Sequence, residues 1–279
     1  MINTKTSLSN TNMKTSKIKP ITKTLATAAL LLMANISIAL TTQEQGLVIS
    51  KEHKQRDVGW TDSTADMIML LKNEQGQQST RDVRIKSLEQ KGKGDKSLSI
   101  FNKPRDVRGT AFLSFSHPVE ADDQWMYLPV LKRVKRISSK NKSGPYMGSE
   151  FSFEDLGSFE IAKYTYNYLG DDKLNGVDSF MVEQLPVDEN SGYTRRIVWI
   201  DKQEYLIHKI DFYDRKNSLL KTLSYHDYKK YLDKFWRANS MEMINHQSGK
   251  STVLQWNNYA FRTGLKDTDF NRNSLKRAR

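Results

Sequence analysis

Cysteine is absent from all 279 residues. That excludes a disulfide framework, a thiol nucleophile, a cysteine-ligated zinc site and an N-terminal cysteine carrying diacylglycerol. Other signatures of chemistry are missing too. No Gly-x-Ser-x-Gly elbow, phosphate-binding loop or dinucleotide fingerprint occurs, and the Gly144 and Gly148 pair lacks the setting that phosphate binding needs. The five histidines, His53, His117, His208, His226 and His246, show neither HExxH nor i, i+4 spacing, so no metal ligand set is read from them. Carboxylates are plentiful, and a pair such as Glu150 with Asp155 reads more simply as surface acid than as a catalytic couple. Nothing demands an enzyme, a metal or a cofactor.

What is present is a globular composition, 37% hydrophobic and 27% charged, too polar for a polytopic membrane protein. Residues 1–39 hold Lys5, Lys14, Lys17, Lys19 and Lys23 and no acid, followed by an apolar stretch over 25–34 and small residues at Ser37 and Ala39. This is the three-part pattern of a secretory signal peptide, and its apolar part is shorter than the roughly 20 residues that span a bilayer. Cleavage after Ala39 is expected, with Met13 as an alternative start, which leaves one domain over residues 40–279. Removal of the five lysines lowers the formal charge from +12 to about +7. With no cysteine to lipidate, the exported protein is expected to diffuse freely.

The remaining chain reads as strands. Residues 43–57 suit one polar helix with a small apolar face. After it the period becomes two: Ala65, Met67, Met69 and Leu71 share one side, and Val83 and Ile85 alternate with charges. The same alternation places Tyr164, Tyr166 and Tyr168 together, Ile197 with Trp199, Leu206 with Ile210 and Phe212, and Thr252 with Leu254 and Trp256. Turn clusters separate the runs at 73–76, 91–95, 170–176 and 246–250. Eleven to thirteen strands at hairpin spacing are expected in one antiparallel sheet or barrel. Residues 138–162 break the pattern and read as a flap, with a short helical turn over 150–157.

A basic run, Lys132, Arg133, Lys135, Arg136, Lys140 and Lys142, precedes the flap, and Lys276, Arg277 and Arg279 end the chain. Export removes nucleic acid as a practical partner. Two readings of the run remain: a solvated face, or a surface that meets anionic headgroups or an acidic protein. Seven methionines follow residue 39, and such flexible, polarisable side chains suit either a plain core or an adaptable apolar lining.

Three segments resemble a known family: Pro104-Arg-Asp-Val-Arg-Gly-Thr-Ala-Phe-Leu113, Asp123-Gln-Trp-Met-Tyr-Leu-Pro-Val-Leu-Lys-Arg-Val-Lys-Arg-Ile137, and Met147-Gly-Ser-Glu-Phe-Ser-Phe-Glu-Asp-Leu156. Together they resemble the bacterial outer membrane lipoprotein-sorting proteins, which are similar to the LolA/LolB carriers. The resemblance implies a mainly β fold: a single incomplete, half-open antiparallel barrel of about eleven strands, with helices on the concave side around an apolar cavity. It implies a monomeric periplasmic shuttle for lipid or lipoprotein acyl chains, in transient contact with membranes and, as for some members of the family, linked to an inner-membrane exporter of the resistance-nodulation-division type. The alternative is an envelope sensor or transporter subunit that uses the cavity as a lipid receptor. On this basis the expected ligand contacts are Trp125, Tyr127, Met147, Phe151 and Phe153, then Met67, Met69 and Trp199 from alternation. Arg133 and Arg136 are the expected headgroup or partner contacts.

Overall fold

The computed structural model describes residues 39–276. The expected signal segment before Ala39, Met13, Arg277 and Arg279 lie outside the described residues. Among those described, no helix is long and apolar enough to cross a membrane.

Thirteen strands form one antiparallel sheet. They are β1 (Asp62–Lys72), β2 (Gln78–Leu88), β3 (Lys96–Lys103), β4 (Ala111–Phe115), β5 (Asp123–Leu128), β6 (Arg133–Ile137) and β7 (Tyr164–Leu174). The second half holds β8 (Val177–Pro186), β9 (Arg195–Asp201), β10 (Ile207–Tyr213), β11 (Leu219–Tyr231), β12 (Phe235–Asn245) and β13 (Ser251–Phe261). Thirteen is the upper end of the eleven to thirteen read from hairpin spacing, and two more than the eleven the resemblance implies. β4 hides in the sequence because its Ala-Phe-Leu-Ser run is buried on both faces and does not alternate. β6 reads there only as a charge run.

The sheet is an open meander in which the first strand, β1, pairs with the last, β13. The one break falls between β6 and β7, which are consecutive in the chain yet sit at opposite ends of the strand order. Laid flat, thirteen strands would span nearly 60 Å. Instead Met126 of β5 and Tyr166 of β7, from near the two ends, belong to one buried cluster, so the sheet curls into an incomplete barrel with an inner and an outer face. Register fixes which residues face inward. Met67 lies opposite Val83, Val83 opposite Phe101, and Phe112 opposite Met126. Far round the curl, Val198 lies opposite both Val182 and Ile210.

Turn chemistry sets that register. The segment at 170–176 is mostly strand: β7 continues past an irregularity at Gly170, and only Asn175-Gly176 turns, both at positive φ. That pair suits the tight hairpin turn whose twist matches its strands.

Helix α1 (Thr42–Arg56) starts from a reciprocal cap. Glu44 N–H donates to Thr41 Oγ1 at 3.2 Å, and Thr41 N–H donates to Glu44 Oε2 at 2.8 Å. Its Ile49 and Leu47 join the inner cluster. Gly46 allows the close approach, because a Cβ there would lie 2.9 Å from the Tyr168 amide nitrogen of β7. A second, smaller cluster sits on the outer face. There Phe270 and Leu275, the latter from the one-turn α2 (Arg272–Leu275), cover Leu98, Ile100, Leu113 and Trp125.

Candidate functional site

The inner face is the candidate site, and its most unusual feature is what covers it. Residues 138–163 leave β6, cross the break in the sheet and enter β7. This strap has no place in the strand ladders; its own structure is a Pro145–Ser152 bridge and 3-10 turns at Ser139–Asn141, Phe153–Leu156 and Ile161–Lys163. Met147 and Gly148, both at positive φ, fold it back on itself, and Tyr146 N–H donates to Phe151 O at 2.7 Å. The fold-back aims Tyr146 and Phe151 inward, each 2% exposed. The Tyr146 ring lies 5.2 Å from Phe112 and 5.9 Å from Phe101 and Phe153, in tilted or edge-on contacts. Such pairs contribute about 0.5–1.5 kcal/mol beyond area burial. The resemblance implies an apolar hollow, and the chain's own strap packs into it.

Polar side chains tie the strap to both sides of the break. Towards β4 and β5, Gln124 Nε2 donates to Phe153 O at 2.9 Å, Ser158 N–H donates to Ser116 Oγ at 2.8 Å, and Lys163 pairs with Asp122. Towards the far strands, Gly192 N–H and Ser191 Oγ donate to the Glu154 carboxylate at 2.9 and 3.0 Å, and Lys142 pairs with Asp188 at 2.6 Å. Deepest is Lys221 of β11. Its Nζ donates to Asp155 Oδ2 at 2.7 Å and to Glu150 O at 2.8 Å, and Tyr193 Oη donates to Asp155 Oδ1 at 2.9 Å. Burial, reinforced by the neighbouring Asp155 charge, pushes the Glu154 carboxyl above its ordinary pKa. Burial and the same two acids hold the Tyr193 phenol well above the usual range.

Not every buried group is satisfied. The Tyr146 hydroxyl and the Trp256 indole N–H, both buried against the inner cluster, have no hydrogen-bond partner. Two open clefts flank the strap. One, of about 320 Å³, is lined by residues that include Lys142, Asp155, Lys163 and Arg196; the other, of about 890 Å³, borders Phe151, Tyr193 and Lys221. Among the described residues, no group of three or more histidines and carboxylates is placed to hold a metal ion.

The expected ligand contacts divide between the faces. Met67, Met69, Met147, Phe151 and Phe153 come together in the inner cluster. Trp125 and Tyr127 lie on the outer face, in the cluster that Phe270 and Leu275 cover. Their neighbour Met126 points inward instead. Trp199 faces outward between the inward Val198 and Ile200; its indole N–H donates to Asp172 Oδ2 at 2.8 Å, and Lys209 Nζ lies 3.7 Å from its ring centroid. Arg133 and Arg136 are exposed on β6, where Arg136 pairs with Asp123. Asp155 and Glu150 form no catalytic couple, since Asp155 meets Lys221 while Glu150 Oε2 accepts from Asn245 at 2.7 Å.

The sequence does not single out Tyr146, Tyr193 or Lys221, and it presents Asp155 only as a surface acid, whereas its side chain is buried against Lys221. For Lys221 a signal existed: it shares a strand face with Leu223 and Tyr225, and a lysine within an apolar stripe demands a buried partner.

A family model described as an uncharacterized protein matches residues 93–277. The structure described as an outer membrane lipoprotein-sorting protein domain from Vibrio parahaemolyticus is 61% identical, with a TM-score of 0.83 over 84% of this chain and 99% of that one. A DUF1329 family protein from Desulfovibrio piger is 29% identical, with a TM-score of 0.80 over 85% of this chain and all of that one. A LolA superfamily protein from Nitrosomonas europaea, 19% identical, matches in fold with a TM-score of 0.67 over 85% of this chain and all of that one. No curated protein matches the chain.

Proposed function

The chain belongs to the family of outer membrane lipoprotein-sorting proteins, and on that premise we propose that it is a soluble periplasmic carrier of acyl chains. It takes the chains of a lipid or lipoprotein onto the inner face of the sheet and delivers them toward the outer membrane. One observation carries the reading: beside helix α1, the apolar inner face is covered by one connection at the open side of the sheet, held by side-chain anchors instead of strand pairing. A cover of this kind can exchange places with a ligand without breaking the sheet. Shielding one long acyl chain offsets its exposure to water by roughly 10 kcal/mol at about 0.8 kcal/mol per methylene, enough to compensate for releasing several anchors.

Export with signal cleavage near Ala39 places such a carrier in the periplasm. Membrane contact is transient, through the exposed Val130 and Leu131 beside the basic residues Lys132, Arg133 and Arg136. An apolar tip ringed by cations suits an anionic bilayer surface or the acidic face of a loading partner. That partner is an inner-membrane exporter of the resistance-nodulation-division type, and the carrier works as a monomer. The role requires no catalysis.

Mass spectrometry of the gently purified protein, followed by vesicle-to-vesicle transfer, tests the proposal. Co-purified lipid that moves to acceptor vesicles supports a carrier. Bound lipid that never transfers favours an envelope sensor, and absence of lipid under both conditions contradicts lipid carriage.

A further inference from the structure

Lys221 occupies an unusual place for a lysine. Its side chain is 4% exposed, on the inner face of β11 beside Leu223, with Nζ 5.2 and 5.3 Å from the ring centroids of Tyr193 and Phe212. A buried ammonium needs partners, because removing one from a buried pair leaves an uncompensated charge. Both oxygens bonded to Nζ, Asp155 Oδ2 and Glu150 O, belong to the strap. Whatever lifts the strap therefore strips Lys221 of both at once and leaves it facing Tyr193, Phe212 and the apolar inner surface. A neutral hydrocarbon arriving there cannot satisfy the ammonium, whereas a chain ending in a carboxylate or phosphate can.

We propose that Lys221 is the anion-binding residue of the cargo site, and that the Asp155 carboxylate holds the place an anionic group of the cargo takes when the strap is displaced. The inference rests on the carrier reading and deepens it. The cargo becomes a long-chain amphiphile with an anionic oxygen group near its apolar part, such as a fatty-acid carboxylate or a lipid phosphate. The strap is then an internal mimic in two parts: Tyr146 and Phe151 fill the space of the hydrocarbon, and Asp155 fills that of the headgroup. Nearby cations make weaker candidates. Arg196 Nε donates to Gln184 Oε1 at 2.7 Å and keeps that partner when the strap leaves, whereas Lys142 is itself part of the strap and leaves with it.

The test displaces a fluorescent hydrophobic probe from the purified protein at pH 8 with three ligands below their micellar range. These are palmitate, palmitoyl lysophosphatidic acid and hexadecanol. A hydrogen-bonded charge pair in a buried site predicts about tenfold or more tighter binding of the anions than of the alcohol, and the better anion separates a carboxylate from a phosphate cargo. Lys221→Met is expected to erase the preference while hexadecanol still binds. Asp155→Asn is expected to keep the preference and tighten palmitate binding, because the internal competitor is weakened. Equal wild-type affinities for all three ligands overturn the anion site and leave lipid carriage standing. Failure of all three to bind removes carriage itself, and the anion site with it. Should Lys221→Met not fold, Asp155→Asn decides: unchanged or weaker palmitate binding overturns the proposal.

Discussion

The sheet is covered on both faces, and the two covers differ in chemistry. Over the outer face, the C-terminal segment supplies Phe270 and Leu275, both fully buried among Leu98, Ile100, Leu113 and Trp125. Its ionic contact, Lys96 with Asp267, lies at the surface, where Asp267 is 65% exposed. Over the inner face, the strap also brings aromatic plugs, but it buries the Asp155–Lys221 pair and a Tyr146 hydroxyl without a partner. None of the unpartnered buried atoms found among the described residues belongs to the C-terminal cover. An apolar cover with its charges in water is a permanent wall. A cover that must neutralise a lysine inside an apolar basin is balanced closely enough for a suitable ligand to replace it.

Substitutions break or sharpen this contrast. The largest effect is expected at Phe270. Replacing it with alanine empties the outer cluster, lowers global stability by about 3–5 kcal/mol in denaturant unfolding, and leaves lipid binding by the remaining folded protein intact. A strap-like response there, local opening without global loss, would dissolve the distinction. Next comes Asp155→Asn, which retains an acceptor but not the charge. It should ease opening of residues 138–163 by about 2–3 kcal/mol in amide exchange with little change in the exchange of residues 265–275.

Acidity provides a smaller handle. Burial first, then the Asp155 charge, raises the folded pKa of Glu154 above its ordinary 4.5. The folded, strapped state thus binds the proton more readily, and this stabilisation is fully present below pH 4.5 and lost as pH rises through the folded value. His53, which packs against Phe159 of the strap, acts oppositely because burial depresses its pKa. Against the upward push of burial, the bonds from Lys142 and from Asn190 N–H hold the Asp188 carboxyl below its ordinary range, so its charge opposes no part of this trend. Strap protection in the wild type relative to Glu154→Gln should therefore rise from pH 8 toward pH 5, and a flat difference refutes the assignment. The smallest effect is expected at Tyr146→Phe. Deleting a hydroxyl that bonds nothing should be neutral or stabilise the closed state by about 1 kcal/mol, whereas clear destabilisation would mean that the hydroxyl has a partner.

Legibility from sequence tracked how local the determinants are. Helix α1 was readable within a residue or two because its cap and apolar positions lie within the segment itself. Met67 and Met69 fall on one side of β1 with Ala65 and Leu71 by strict alternation, although the intervening Ile68 and Leu70 are apolar too. The run Gln124-Trp-Met-Tyr-Leu128 offers two apolar faces, and nothing local says which is inner. That choice is made by the strap on one side and by Phe270 and Leu275, about 145 residues away in sequence, on the other. Trp199 was misplaced for a related reason: Val198 and Ile200 are smaller but continue the inner stripe of β8 and β10, and register outweighs bulk. The flap was visible as a break in periodicity. That it would fill the barrel was not, since its anchors on Lys221, Gly192 and Thr252 lie 66, 38 and 102 residues away.

Hydrogen–deuterium exchange with and without a bound long-chain amphiphile tests the exchange of strap for cargo most directly. Loading is expected to remove amide protection across 138–163 while residues 265–275 and the strands keep theirs. Full retention of strap protection in the lipid-loaded protein would contradict the account.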